Sequence, residues 1–446
     1  ELLLHLLSAR FVFSVVVATT LMLCGGWVLL RNYEDRVRAY NELNALHETQ
    51  VGSYETGADT PLDALSMGGR ILDRKPPALS FLFAGVYDSL PKSFWVSSFD
   101  GPVPETNLVE NRLSDLFGLL DVRFVIGTVF SLLALLLSYD AVSGERQAGT
   151  LRLVFANPVR IRDLLIAKWV SLNAVLGAAF LIAFLAALLL ALFSPAVSLG
   201  SGELARLGLV VLVSLLYLSV FVTLGLLLSS LFAEPYAAIA MGLMIWVLLV
   251  FVIPGAAPYV ASLSEPGPDY VATALQRQDS LGFNYRAIRQ KYLDQGQDRE
   301  TAARLADEEW RKTVEPQLGA NLLRANEDFL NGKERLIGRG RNLARLSPYA
   351  SYSFAVSDLS GTGLAEQSRF EAALEEYRRQ FQEFIHGQQE AGRKSVDPAD
   401  LPVFAAPRPS SGAAFRNVTA DVASLALLAI VLFGASYVRM LRYDVR

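Results

Sequence analysis

The sequence holds 446 residues, of which 52% are apolar and 19% charged, with a formal net charge of −4 and a positive mean hydropathy. A soluble domain carries about a quarter charged residues; here the charge gathers in two blocks between long apolar runs, which excludes an ordinary soluble globule. The weak negative charge gives no basis for nucleic-acid binding, the single Cys24 excludes a disulfide framework, and three scattered histidines (His5, His47 and His386) exclude a His-built metal centre.

A helix needs about 20 apolar residues to cross roughly 30 Å of hydrocarbon. Residues 1–10, "ELLLHLLSAR", begin with Glu1 rather than Met, so a few native residues are expected to precede them. The first span is expected over 11–30. It is too long for the apolar core of a signal peptide and runs into Arg31 instead of a small-residue cleavage site. A polar region, 31–121, follows; "RNYEDRVRAYNELNALHE" within it reads as helix, and "ETGADTP" and "DRKPP" as turns. The second span is expected over 122–142, a polar segment over 143–165, and spans three, four and five over 166–193, 207–232 and 236–257. The second large polar region, 262–420, contains two charged amphipathic stretches at mixed three and four spacing. The intervening "SPYASYSFAVSDLSGTG" is expected to be a turn region joining them. The sixth span, 421–438, and a tail, 439–446, complete an all-α membrane protein with six spans.

Orientation follows from Lys and Arg in the short loops. Arg146, Arg152, Arg160, Arg162 and Lys168 follow span two, and Arg439, Arg442 and Arg446 follow span six. With six spans these fall on one side together with both termini, expected to be cytoplasmic, and a mainly helical extracytoplasmic domain lies opposite. Arg31, Arg36 and Arg38 follow span one on the other side and count against this assignment; parity outweighs them.

The segment "SYDAVSGERQAGTLRLVFANPVRIRDLLIAKW" is long for a connector and rich in alternating charge and glycine. Gly144, Glu145, Arg146, Gly149, Thr150, Val154, Ala156, Pro158 and Lys168 match the pattern of the first cytoplasmic connection of ABC-2 type exporter permeases, which the chain resembles. "ELLLHLLSAR", with His5 and Arg10, is similar to the elbow helix of that family. The layout, with a large insert before the last span, resembles the subgroup of gliding-motility and nitrous-oxide-reductase maturation permeases.

The resemblance implies that Gly144, Glu145, Arg146, Gly149 and Thr150 form a coupling helix docking into an ATP-binding subunit, with Glu145 and Arg146 projecting toward it. Glu234, at the tip of the turn between spans four and five, is a second contact candidate. It further implies an inner-membrane location, pairing with a second copy or a sister permease, and two ATPase subunits. A periplasmic or outer-membrane partner is a further expected partner beside the lipid bilayer.

No Gly-x-x-x-x-Gly-Lys-Ser/Thr phosphate cradle is present: Gly332-Lys333 lacks the upstream glycine and is followed by Glu334. The expectation is therefore a non-enzymatic chain without a cofactor, ATP and Mg belonging to the partner. Paired acids at membrane depth, which an intramembrane enzyme needs, are absent from the central turns of spans three to six. Asn173, Ser214, Tyr217 and Thr223 are pathway candidates, with interhelical hydrogen bonding as the alternative. The cargo is open between lipid, peptide, drug-like molecule and none, the last being mechanical relay. A non-transporting anchor for extracytoplasmic partners is the alternative function.

Overall fold

A computed structural model gives the structure of the protein and describes residues 9–53, 60–62, 65, 69–97, 102–105, 121–156, 160–264, 285–310, 312, 331–393, 395–397, 400–406 and 411–442. Among the described residues six helices are long and apolar enough to cross a membrane. Span 1 lies in a helix of 45 residues, Ala9–Ser53, so the membrane helix and the charged helix expected beyond Leu30 are one continuous rod. Span 2, Val122–Gln147, starts with a π-helical segment, Val125–Phe130, after its first turn, and ends in a short helix α1, Ser143–Gln147. Helix α2, Thr150–Phe155, leads to span 3, Ile161–Leu192, and then to span 4, Ser201–Leu231. Span 5, Pro235–Leu263, contains a second π-helical segment, Leu248–Val252, and span 6 lies in Ser411–Leu441.

The chain divides into two compact units, Glu1–Val250 with Ser347–Arg446, and Phe251–Leu346. In the first unit span 4 is central, packing against spans 2, 3, 5 and 6, while span 1 packs along span 3. Tyr217, Phe221 and Leu226 of span 4 interdigitate with Phe130, Leu135 and Phe180 in one apolar core.

The expected turn region is corrected. Pro348–Ser360 is a helix, α4, and it is buried against spans 4 and 6. Its start is well specified: Ser347 is the N-cap, its hydroxyl accepting from the Ala350 amide at 3.2 Å, and Pro348 occupies the first helical position. Arg123 at the start of span 2 donates to Ser353 Oγ and Ser357 Oγ of α4, both at 3.0 Å.

Helix α5, Leu364–Glu390, follows. Its apolar residues Phe370, Leu374, Tyr377, Phe381 and Ile385 recur every three or four positions and so form one stripe. That stripe closes a second core with Leu62, Leu72, Phe94, Val96 and Val396. Most of these partners come from short strands, which among the described residues depart from an all-α fold: β1 (Thr60–Pro61) pairs with β5 (Ser395–Val396), and β2 (Arg70–Asp73), β3 (Ser93–Val96) and β4 (Val103–Glu105) form an antiparallel sheet with Ile71 opposite Trp95. Residues 62–96 of the first polar region and 370–401 of the second thus share one core.

Burial governs the charges there. It pushes the Arg74 guanidinium below its ordinary value, with the Tyr87 ring and Glu366 and Glu371 opposing, and it raises the Glu366 carboxyl, with Arg369, Arg74 and Arg206 opposing. In the second unit Arg299–Glu309 forms helix α3, and Glu309 accepts from Lys291 Nζ at 2.9 Å and from Tyr292 OH at 2.7 Å. The remainder of the first amphipathic stretch, 313–330, lies outside the described residues.

Candidate functional site: the segment between spans 2 and 3

Beyond Ser138 the chain turns and restarts as α1, whose amides at Gly144 and Arg146 bond back to Asp140 and Val142. The reversal into α2 is made at Gly149, with φ +74° and no atom within 4 Å of the place where a Cβ would stand. Backbone conformation, not crowding, therefore demands glycine there. Thr150 Oγ1 donates to the Glu145 carbonyl at 3.2 Å and fastens the turn.

Two anchors hold α1 to the bundle. The N-cap of α1 is Val142, whose side chain cannot cap. Span 4 supplies the missing acceptor: Ser229 Oγ takes the Val142 and Ser143 amides, each at 2.9 Å, and lies 3.1 Å from Ser143 Oγ. Free amides at a helix start need such a partner. The second anchor is Lys168 of span 3, donating to Glu145 Oε1 at 2.6 Å, with side chains 5% and 28% exposed respectively. Glu145, expected to project outward, is thus turned inward. A small apolar cluster of Val142, Leu151, Leu165 and Met440 underlies the segment, bringing the last turns of span 6 beneath it.

Arg146, Gln147, Ala148, Gly149 and Thr150 are exposed. Glu234 is exposed too, as the N-cap of span 5, with Pro235 at the first helical position, and span 5 packs against α1. An exposed cation and an exposed anion thus stand on two turns whose helices are in contact. Ser229 was missed by sequence reasoning; its only signal is a serine pair, Ser229-Ser230, at the foot of an apolar span.

The pathway candidates fall into two places. Thr223 Oγ1 accepts from Trp169 Nε1 at 2.9 Å, and Asn173 Nδ2 donates to the Trp169 carbonyl at 2.8 Å, so these two meet through one tryptophan. Ser214 and Tyr217 face Tyr352 of α4: Ser214 Oγ donates to its hydroxyl at 3.4 Å, and the two tyrosine rings stack at 4.4 Å. Ser214, Tyr217 and Thr223 are fully buried and bonded within the chain. His5 lies outside the described residues; Arg10 is in the first turn of the span 1 helix, its side chain outside them. Among the described residues no three His, Cys, Asp or Glu side chains stand together as metal ligands would.

Residues 47–445 match the family described as "ABC-2 family transporter protein". The chain belongs to the ABC-2 family of transporter proteins. With its six apolar spans it is a multi-pass inner-membrane protein. It is also similar to the "Probable ABC transporter permease protein NosY" of Stutzerimonas stutzeri, at 38% identity over 122 residues. That match covers 27% of this chain and 44% of the relative's length.

Proposed function

We propose that α1 and its exposed run Arg146–Thr150 receive a separate ATP-binding subunit on the cytoplasmic side, and that ATP and Mg bound there drive motion of this permease. One observation carries the reading: α1 is pinned by Ser229 to span 4 and through Glu145 to Lys168 of span 3, while Arg146–Thr150 are exposed. A push on that run reaches three spans directly, since α1 is itself the end of span 2. Arg146 and Glu234 supply charge-assisted contacts of both signs, and the chain works as a pair, with a second copy or a sister permease. The output is export or mechanical relay to an extracytoplasmic partner.

The test is co-purification from native membrane of the original chain beside Arg146→Glu and Glu145→Arg variants. A nucleotide-binding subunit eluting with the original, and lost with Arg146→Glu, supports the reading. Glu145→Arg sets a second cation against Lys168 and is expected to disorder the segment as well as uncouple it. If no nucleotide-binding subunit accompanies the original chain, a non-transporting anchor for extracytoplasmic proteins replaces this function.

A further inference from the structure

The two π-helical segments lie in different spans, and side chains join them. An inserted residue in a membrane helix displaces carbonyls from their partners, and hydrocarbon offers no water to satisfy them. In span 2 the Gly127 carbonyl accepts from Tyr217 OH of span 4 at 2.5 Å and from Ser131 Oγ at 2.6 Å. In span 5 the Leu249 carbonyl accepts from Ser347 Oγ, the N-cap of α4. Trp246 Nε1 then donates to Ser131 Oγ at 2.9 Å. Ser131 directly follows the first π-helical segment, and Trp246 lies just before the second, so one hydrogen bond ties their edges together. Helix α4 closes the knot: Tyr352 stacks on Tyr217, and the Tyr349 ring occupies the space where a Cβ on Gly127 would stand. Ser131, Tyr217, Ser347 and Tyr352 are all fully buried.

We infer that these segments are a linked pair of hinges: span 2 and span 5 yield together at Val125–Phe130 and at Leu248–Val250, and α4 moves with them. Opening either segment alone breaks the Trp246 Nε1–Ser131 Oγ bond in an apolar interior, so movement of one segment is coupled to movement of the other. Helix α4 continues into α5, whose stripe closes the second core, so this motion leads out of the bundle. What drives the hinges rests on the proposed coupling function; their linkage does not.

The experiment is amide hydrogen exchange on the full chain in lipid nanodiscs, comparing the original with Trp246→Phe and Ser131→Ala. Trp246→Phe keeps an aromatic ring and removes the N–H donor together with the five-membered half of the indole. It is expected to raise exchange roughly fivefold in both 125–130 and 247–250, the scale of one net hydrogen bond. Ser131→Ala is expected to do more, because it also removes one of the two donors to the Gly127 carbonyl. Faster exchange in 247–250 alone for Trp246→Phe, with 125–130 unchanged, overturns the linkage. A second arm adds the ATPase with ATP and vanadate and reads 143–150. No response there sinks the coupling function, while the ATPase-free arm still decides the hinges.

Discussion

Span 4 buries 67% of its most apolar stretch inside the chain and span 5 only 22%, although their mean hydropathies are equal and a short turn joins them. Apolar content cannot create that difference, because lipid tails are as apolar as leucine and give helices no hydrophobic reason to associate. Polar groups at intervals create it. Ser214, Tyr217, Thr223 and Ser229 give span 4 bonds to its neighbours and to its own turns along most of its length. Span 5 joins chiefly through Trp246 and the Leu249 carbonyl, and exposes Met244, Val247 and Leu248.

The sharpest way to break this contrast is paired truncation. Tyr217→Ala removes a fully buried ring and a donor to Gly127, and is expected to cost about 3–5 kcal/mol. Met244→Ala on span 5 is expected to stay within about 0.5 kcal/mol. Thermal melts of both variants by size exclusion in detergent check this. A comparable loss for Met244→Ala would mean that the bare face of span 5 is covered in the working assembly.

The anchors of α1 come next. Lys168→Met leaves Glu145 without its cation and is expected to cost about 2 kcal/mol, less than a fully buried pair because Glu145 is 28% exposed. Adding Glu145→Gln should recover most of that loss, which a double-mutant cycle measures. Ser229→Ala is expected to cost about 1 kcal/mol, the scale of a lost N-cap, and to speed exchange at the Val142 and Ser143 amides. The exposed Tyr236, across the same turn on span 5, should tolerate alanine in the same assay.

The smallest effect concerns the other end of span 4, where Arg206 faces Glu366 together with Arg74, Arg369 and Asp358. Burial raises Glu366 above its ordinary 4.5, so its stabilising contribution is complete below that value and is lost as pH rises through the folded value. Melting temperature should therefore decline across that acid window in the original chain, and decline less in Glu366→Gln. An identical pH profile for both would show that the arginines offset the burial.

Much of the architecture was legible beforehand because it is local. Six long apolar runs can only be helices in a bilayer, and the 370, 374, 377, 381, 385 stripe announces α5 by spacing alone. The Gly144–Thr150 pattern led to α1 and its turn. Three features were hidden. Helix α4 is short and rich in Ser, Tyr and Pro, the composition of a turn, and becomes a helix because Ser347 caps it and spans 4 and 6 bury it. The short strands drew no expectation from the sequence, which showed only turns at "ETGADTP" and "DRKPP", and β1 pairs with residues 395–396, far along the chain. Glu145 reads as a projecting charge until Lys168, 23 residues away, takes it inward.

The sequence by itself therefore determined membrane residence, the apolar spans and the glycine-marked segment after span 2, since each depends on composition or spacing within one run of chain. Only the tertiary structure decided which span is central, which serine caps α1, and how two π-helical segments share one hydroxyl. Those outcomes rest on hydrogen bonds between distant residues in a medium without water, where every buried polar group must find a partner wherever the fold brings one.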